Sequence, residues 1–232
     1  MVKIFALPAN EGDFIWICYG ENEVYSHILI DGGTKDCGEE YASIIRIIDE
    51  RKEKIEALVL THVDYDHIQG AIEGICRTSD DLLKRTVKKI YFNTCRGIRK
   101  NLKEMGEFLE GSDCVEDQIC VNQNYKQYSV GDGIKFLDLL SEKGLKDRLV
   151  DYVVYGEQAV LPNDAIIRFI SPGEKELIKF ANHWEKYERE NEYVQYASNL
   201  DMVKENLADL MNENLVSDQS INNASSIAFI FE

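Results

Sequence analysis

One ten-residue stretch constrains this chain more than any other: residues 61–70 read Thr-His-Val-Asp-Tyr-Asp-His-Ile-Gln-Gly. The stretch directly follows an apolar run, Ala-Leu-Val-Leu at 57–60, which is short and β-prone and predicts a buried strand. A group of polar side chains therefore stands where a strand ends. Open α/β sheets bind their ligands at such strand ends, so the stretch predicts a functional site.

Two imidazoles and two carboxylates fall within six positions, as His62, Asp64, Asp66 and His67. Side chains alternate along an extended chain, so His62 and Asp64 point the same way. Asp66 and His67 then begin a predicted helix. Unpaired polar groups at this density are unfavourable unless a metal ion takes them as ligands. The alternative is an acidic surface loop with two stray histidines, but the chain has only four histidines and two of them lie here.

The stretch resembles the His-x-His-x-Asp-His signature of the metallo-β-lactamase superfamily, with Asp64 where most members have the second histidine. Its His-x-Asp-x-Asp-His form is similar to the branch typified by the nuclease domain of the ComEC-type DNA-uptake channel. Three further segments resemble that branch in the expected order. They are its opening strand and Gly-Asp turn at 7–13, an Ile-Asp-x-Gly-like turn at 28–33, and an Asn-x-Ser-Ser-Ile-like segment within 218–227.

This resemblance implies one metallo-β-lactamase-like domain over residues 1–232, folded as an αββα sandwich. The pattern of the chain itself indicates only an α/β class with mixed alternation of strands and helices. In the family, a strand matching 226–231 is followed by one more strand and a bridging Asp, so we expect the domain to lack its last strands. A partner chain or a second copy would then cover the open edge of the sheet.

Hydrophobic periodicity predicts the individual elements. The predicted strands lie at 3–7, 14–19, 26–30, 57–60, 87–92, 165–170 and 226–231. The predicted helices lie at 39–53, from 66 onward, at 99–109, at 129–143 with Ser129 as N-cap, at 174–196 and at 199–215. The last two carry many charges, so we interpret the region 174–215 as a cap or a solvated helical flank.

The resemblance also implies roles for the motif residues. His62 and Asp64 would hold one divalent ion, Asp66 and His67 a second, and Asp66 would act in catalysis by orienting the attacking water. A carboxylate at position 64 favours a harder ion, so we expect manganese or zinc, with magnesium as a further candidate. Downstream ligands are harder to identify, because we interpret Asp132 as an acid at a helix N-terminus and His183 as a surface residue.

Four other side chains are candidates for supporting roles. Asp13 and Asp31 end strands near the expected metal centre and would steady a ligand from behind, although ordinary turn acids are an equal alternative. Asn93 and Asn223 lie at the same expected rim, where we predict substrate contacts.

Composition limits the class of partner. The net charge of −16, from 26 basic and 42 acidic residues, opposes a salt-driven grip on nucleic acid. Two bound divalent ions would reverse the sign locally, so a nucleic acid or nucleotide substrate stays compatible. The six cysteines form no Cys-x-x-Cys pair, which favours reduced thiols and a cytoplasmic location, and no membrane partner is expected.

The leading hypothesis is a metal-dependent hydrolase that cleaves a phosphodiester such as DNA, RNA or a nucleotide with a water activated by two metal ions. A second hypothesis is hydrolysis of an ester, thioester or lactam. The third belongs to another class, a non-catalytic metal-binding interaction or sensor module. The sequence leaves open whether the chain is an enzyme.

Overall fold

A computed structural model describes residues 1–21, 24–104, 123–197 and 220–232, which form nine strands and seven α-helices. The strands are β1 (Val2–Ala6), β2 (Ile15–Glu21), β3 (Val24–Ile30), β4 (Lys54–Val59), β5 (Ile90–Tyr91), β6 (Leu149–Val150), β7 (Gln158–Val160), β8 (Ile166–Ser171) and β9 (Ala228–Phe231). The helices are α1 (Gly38–Glu50), α2 (Tyr65–Arg77), α3 (Asp80–Thr86), α4 (Cys95–Glu104), α5 (Gln123–Glu142), α6 (Glu174–Ala197) and α7 (Ile221–Ala224).

The larger sheet has six strands in the order β1-β2-β3-β4-β5-β6. The pairs β1–β2 and β2–β3 are antiparallel, whereas the pairs from β3 to β6 are parallel. Parallel neighbours need a crossover, and α1 supplies it between β3 and β4, while α2 and α3 supply it between β4 and β5. The carboxyl ends of β3 and β4 therefore lie side by side at one edge of the sheet.

Helices cover one face of this sheet, and the smaller antiparallel sheet β7-β8-β9 packs on the other. Adjacent residues of one strand serve the two cores: Leu58 packs against the helices and Val59 against the smaller sheet. Val59 shares its cluster with Ile167 and Phe169 of β8. The described residues thus form helix, sheet and sheet layers, which confirms the predicted α/β class and is consistent with a metallo-β-lactamase-like fold.

The structure corrects two predictions about the helices in part. Helix α5 already includes Gln123, the first described residue of this segment, six residues before the predicted N-cap Ser129. The prediction missed this part of the helix because its polar residues carry no apolar period. The first half of α6 is part of the core, with Leu177, Phe180, Ala181 and Trp184 buried. Their i, i+3, i+4, i+7 spacing makes an apolar stripe among many charges, so this half of the helix is not a solvated flank. A cap formed by residues 174–215 stays a prediction.

Other predicted elements lie outside the described residues or are shorter in the structure. The helix predicted at 199–215 lies outside the described residues, and so does the last part of the helix predicted at 99–109. The strand predicted at 87–92 is reduced to β5, and Val87 forms only an isolated bridge with Ile55. No helix in the described ranges has both the length and the apolarity needed to cross a bilayer.

A buried histidine joins β2, β3 and the turn before β4. The indole N–H of Trp16 donates to Nδ1 of His27 over 3.0 Å, and Nε2 of His27 lies 2.7 Å from Oε2 of Glu53. Because an indole N–H can only donate, Nδ1 must accept, and His27 is neutral with its proton on Nε2. Burial lowers the pKa of His27, and its hydrogen bond and charge interaction with Glu53 only partly oppose that effect.

We predict that His27 makes the fold sensitive to acid. Its folded pKa is below the ordinary value of about 6.5, so the unfolded chain binds more protons below that pH. The stability due to neutral His27 is present above about pH 6.5 and is lost as the pH falls. In urea unfolding with a chelator, His27→Gln should flatten the decline in unfolding free energy from about pH 7 downward. His183→Gln on α6 is the control, and an unchanged slope in His27→Gln would contradict the prediction.

Candidate metal centre

The motif loop lies where the topology of the larger sheet brings three chain segments to one edge. Asp31 follows β3, and Thr61 and His62 follow β4, so parallel pairing places them next to each other. Strand β2 runs antiparallel to β3 with Ile15 opposite Ile30, which brings the preceding turn, including Asp13, to the same edge. This is the edge at which sheets of this kind bind ligands.

Glycines let helix α2 lie directly on the turn after β3. The N–H of Gly32 donates to the carbonyl of His67 over 2.8 Å, and the N–H of Gly70 donates to the carbonyl of Gly33 over 3.0 Å. A Cβ on Gly70 would stand 1.9 Å from the Gly32 oxygen, a distance that no side chain tolerates. The backbone contact therefore requires glycine at position 70, and it holds His67 beside Asp31.

Asp31 is the central acceptor of the site. It is 1% exposed, and its carboxylate accepts hydrogen bonds from the N–H of Thr61 (2.7 Å), the hydroxyl of Thr61 (2.7 Å) and Nδ1 of His67 (2.9 Å). Its backbone adopts a positive φ of 53°. Residues other than glycine rarely adopt this conformation, and it persists where the surroundings enforce it.

The hydrogen bonds of Asp31 determine which nitrogen of each motif histidine is available for other partners. Nδ1 of His67 must carry a proton, because its partner is a carboxylate. The hydroxyl of Thr61 donates to Asp31, so it accepts from Nδ1 of His62 over 2.9 Å. In both rings Nε2 is then the atom with the lone pair. A carboxylate behind the histidine is the arrangement that orients imidazole ligands in metal sites.

The four motif side chains form two histidine–carboxylate pairs. Nε2 of His62 lies 3.5 Å from Oδ2 of Asp64, and Nε2 of His67 lies 3.6 Å from Oδ2 of Asp66. The two imidazole centroids are 4.1 Å apart. Two ligand atoms that each lie ~2.1 Å from an ion at a tetrahedral angle are about 3.4 Å apart. The spacing within each pair therefore fits ligation of a divalent ion.

The electrostatics of the site favour positive charge. Burial acts to lower the pKa of His67, but the hydrogen bond and charge of Asp31, with the charges of Asp66 and Asp13, outweigh it and raise that pKa. Burial acts to raise the pKa of Asp64, but the neighbouring His62, the amide of Asn222 and the charge of His67 hold it below the usual range. The site therefore keeps Asp64 ionised and attracts protons or metal cations.

Asp13 adds a carboxylate on the open side of the site. It is exposed, and ligand atoms of Asp13, Asp31 and His67 all lie within 4.8 Å of one another, close enough to share an ion. Asp31 already accepts three hydrogen bonds, so its geometry is that of a residue that orients His67. The predicted steadying role fits Asp31 better than Asp13.

The asparagine that reaches the site is Asn222, whereas sequence reasoning selected Asn223. Nδ2 of Asn222 donates to Oδ1 of Asp64 over 2.7 Å, although 158 residues separate the two along the chain. Asn222 is buried, whereas the side chain of Asn223 is exposed on the same short helix. The local sequence of α7 does not show which of the two asparagines faces Asp64. The packing of the helix decides this.

The other candidate side chains have partners within the fold or lie on helices. The amide of Asn93 is buried, with Nδ2 donating to the carbonyl of Val153 (3.0 Å) and Oδ1 accepting from its N–H (2.6 Å), which accounts for Asn93 without a substrate. We expected Asp132 at a helix N-terminus, but it lies inside α5, where it is 1% exposed and pairs with Lys135. His183 lies half-buried on α6.

No family model matches the chain. It is 26% identical over 101 residues to a hydroxyacylglutathione hydrolase from Psychromonas ingrahamii. The match covers 44% of this chain and 36% of that protein, so the chain spans about a third of the relative it matches.

Two solved structures show weaker similarity. The subclass B3 metallo-β-lactamase MEM-A1 from a soil metagenome library has 14% sequence identity and a TM-score of 0.30, covering 68% of this chain and 46% of that one. A metallo-β-lactamase from Cronobacter sakazakii has 15% identity and a TM-score of 0.30, covering 72% and 51%. TM-scores this low carry no argument about the site.

We predict that Asp31→Asn weakens metal binding by about 10- to 100-fold, the range for loss of a partner behind a ligand. An asparagine amide cannot accept all three hydrogen bonds at once, so both imidazoles lose their orientation. Calorimetric titration with manganese and zinc would measure the effect, with circular dichroism to check folding. Asp13→Asn is the matched control. If Asp13→Asn weakens binding as much as Asp31→Asn, the two acids and His67 form the binding site themselves.

Proposed function

We propose that this chain is a metal-dependent hydrolase of the metallo-β-lactamase superfamily, with its centre at the end of β4. The observation that carries the proposal is the hydrogen-bond set of Asp31. Asp31 holds Nδ1 of His67 directly and Nδ1 of His62 through Thr61. The Nε2 atoms of both rings then lie beside carboxylates at ligand spacing. The similarity to a hydroxyacylglutathione hydrolase agrees with hydrolysis as the type of reaction.

We infer that the donor set serves two divalent ions. His62 and Asp64 would hold one, and Asp66 and His67 the other. The harder oxygen of Asp64 favours manganese or magnesium, although zinc also accepts such mixed ligands. When bound, a pair of such ions lowers the pKa of a water and stabilises the charge that develops during attack.

The residues of the chain prepare this chemistry. Asp66 stands in the first turn of α2 with a partly exposed side chain, where its free oxygen can accept a proton from water and orient it. His67 is held from behind by Asp31 and cannot turn away. His62 is fixed in the same way through Thr61. The resulting rigid geometry matters because small errors of position reduce rates strongly.

Two substrate classes are supported by different observations. A phosphodiester is favoured by the His-x-Asp-x-Asp-His motif, through its resemblance to the ComEC-like branch. A thioester is favoured by the sequence similarity to a hydroxyacylglutathione hydrolase. We place the phosphodiester first, because the motif residues are the ones that would contact the ions. A non-catalytic metal sensor is the alternative from another class.

A cytoplasmic location belongs to the same proposal. Cys18, Cys37, Cys76 and Cys95 are free thiols, as a reducing compartment requires. A partner chain or second copy along β9, at an edge of the smaller sheet, stays a prediction.

A substrate panel tests the function. With manganese or zinc, the chain should hydrolyse a chromogenic phosphodiester faster than a hydroxyacylglutathione thioester or a lactam. Asp66→Ala should lower that turnover by at least about 100-fold, the scale of losing a proton-transfer group. Asp36→Ala, which removes an exposed acid from the turn before α1, is the control. Faster thioester turnover would select the second substrate class, and metal binding without turnover of any substrate would indicate the sensor.

We also predict that Asp64→His shifts metal preference toward zinc. An imidazole is a softer ligand than a carboxylate, so the change should lower the ratio of manganese to zinc affinity. Competition titrations on both proteins would measure the ratio, with Asp13→His as a matched change in a neighbouring acid. An unchanged ratio would show that Asp64 does not contact the ion.

A further inference from the structure

Asn222 restricts one of the two oxygens of Asp64. Its amide donates to Oδ1, while Oδ2 faces Nε2 of His62 at 3.5 Å. The two oxygens of this carboxylate are therefore not equivalent: one has a partner within the protein, and the other points toward the histidine with which Asp64 would share an ion.

The position of Asp64 in the chain offers its carboxylate a competing partner. Asp64 is the N-cap of α2, with φ −69° and ψ 145°, yet within the described part of the chain its side chain makes no capping hydrogen bond. An Asp at this position ordinarily accepts from the second or third N–H of the helix, which stabilises the helix. In this structure the carboxylate is turned instead toward Asn222 and His62.

The short helix α7 is itself held firmly. The hydroxyl of Ser220 accepts from the N–H of Asn223, and the carbonyl of Asn222 accepts from the hydroxyl of Ser225 over 2.9 Å. Just beyond α7, the N–H of Ile227 donates to the carbonyl of Thr61 over 2.9 Å. The segment from Ser220 to Ile227 therefore contacts both ends of the loop that carries His62.

We propose that Asn222 is a positioning residue that keeps Asp64 off the end of α2 and presents a single oxygen, Oδ2, to the metal. This inference rests on the proposed metal centre and extends it to a residue from the far end of the chain. The amide is suited to the role because it donates without adding charge. Without it, Asp64 turns to cap α2 and its free oxygen moves away from His62.

Manganese titrations on the full chain test the inference. Asn222→Ala should weaken manganese binding by about 10- to 100-fold. Asn223→Ala, which removes the adjacent and exposed amide, should leave affinity unchanged. Thermal unfolding of the metal-free proteins shows whether Asn222→Ala has lost its fold. We expect the variant to stay folded, because Asp64 can then cap α2 and this new hydrogen bond compensates part of the one that was lost. If Asn222→Ala proves unstable, Asn222→Leu serves instead, because it has a similar size and no charge but cannot donate the hydrogen bond to Asp64, so it should weaken binding in the same way.

A double-mutant cycle with Asp64→Asn shows whether the effect passes through Asp64. Adding Asn222→Ala to Asp64→Asn should produce little further loss of affinity, and the cobalt absorption spectrum should change in Asn222→Ala but not in Asn223→Ala. If the native chain binds manganese and Asn222→Ala binds it equally well, the inference is wrong and the metal centre stands. An undiminished loss in the Asp64→Asn background would also overturn it. If the native chain binds neither manganese nor zinc, the proposed function itself fails.

Discussion

The carboxylate of Asp31 is the interaction on which the site depends. It is buried at the end of a central strand, it has an uncommon backbone conformation, and it accepts three hydrogen bonds. A buried charge is unfavourable unless it is well paired, so the surrounding groups must stay in place. One anion thereby fixes the end of β4, the tautomers of two histidines and the contact of α2 with the sheet.

Backbone contacts explain how helix α2 keeps its position relative to this anion. Gly32 and Gly70 let the turn after β3 touch the helix without side chains between them. The hydrogen bonds across this contact then place His67 over Asp31 with no freedom to slide. A hydrophobic core tolerates substitutions that keep its volume, whereas any side chain at position 70 would collide with the backbone of Gly32.

The first and last described segments of the chain act on the site through different interactions. The first turn contributes exposed Asp13, a charge that acts through the field around His67. The last described segment contributes Asn222, an uncharged amide that acts by direct contact with Asp64. The charge of Asp13 at the rim would affect how strongly a cation is bound. The hydrogen bond from Asn222 would determine which oxygen of Asp64 binds it.

The sequence by itself determined the local features of this protein. The apolar run before Thr61 predicted β4, and the spacing of His62, Asp64, Asp66 and His67 predicted a strand-to-helix junction crowded with ligand atoms. These features depend on alternation and periodicity over a few residues, which a single sequence records directly. Only the tertiary structure decided which distant residues support them. Three features depend on packing between elements that lie far apart in the chain, and no local pattern encodes that packing. They are the contact of Asn222 with Asp64, the structural contacts of Asn93, and the burial of the first half of α6.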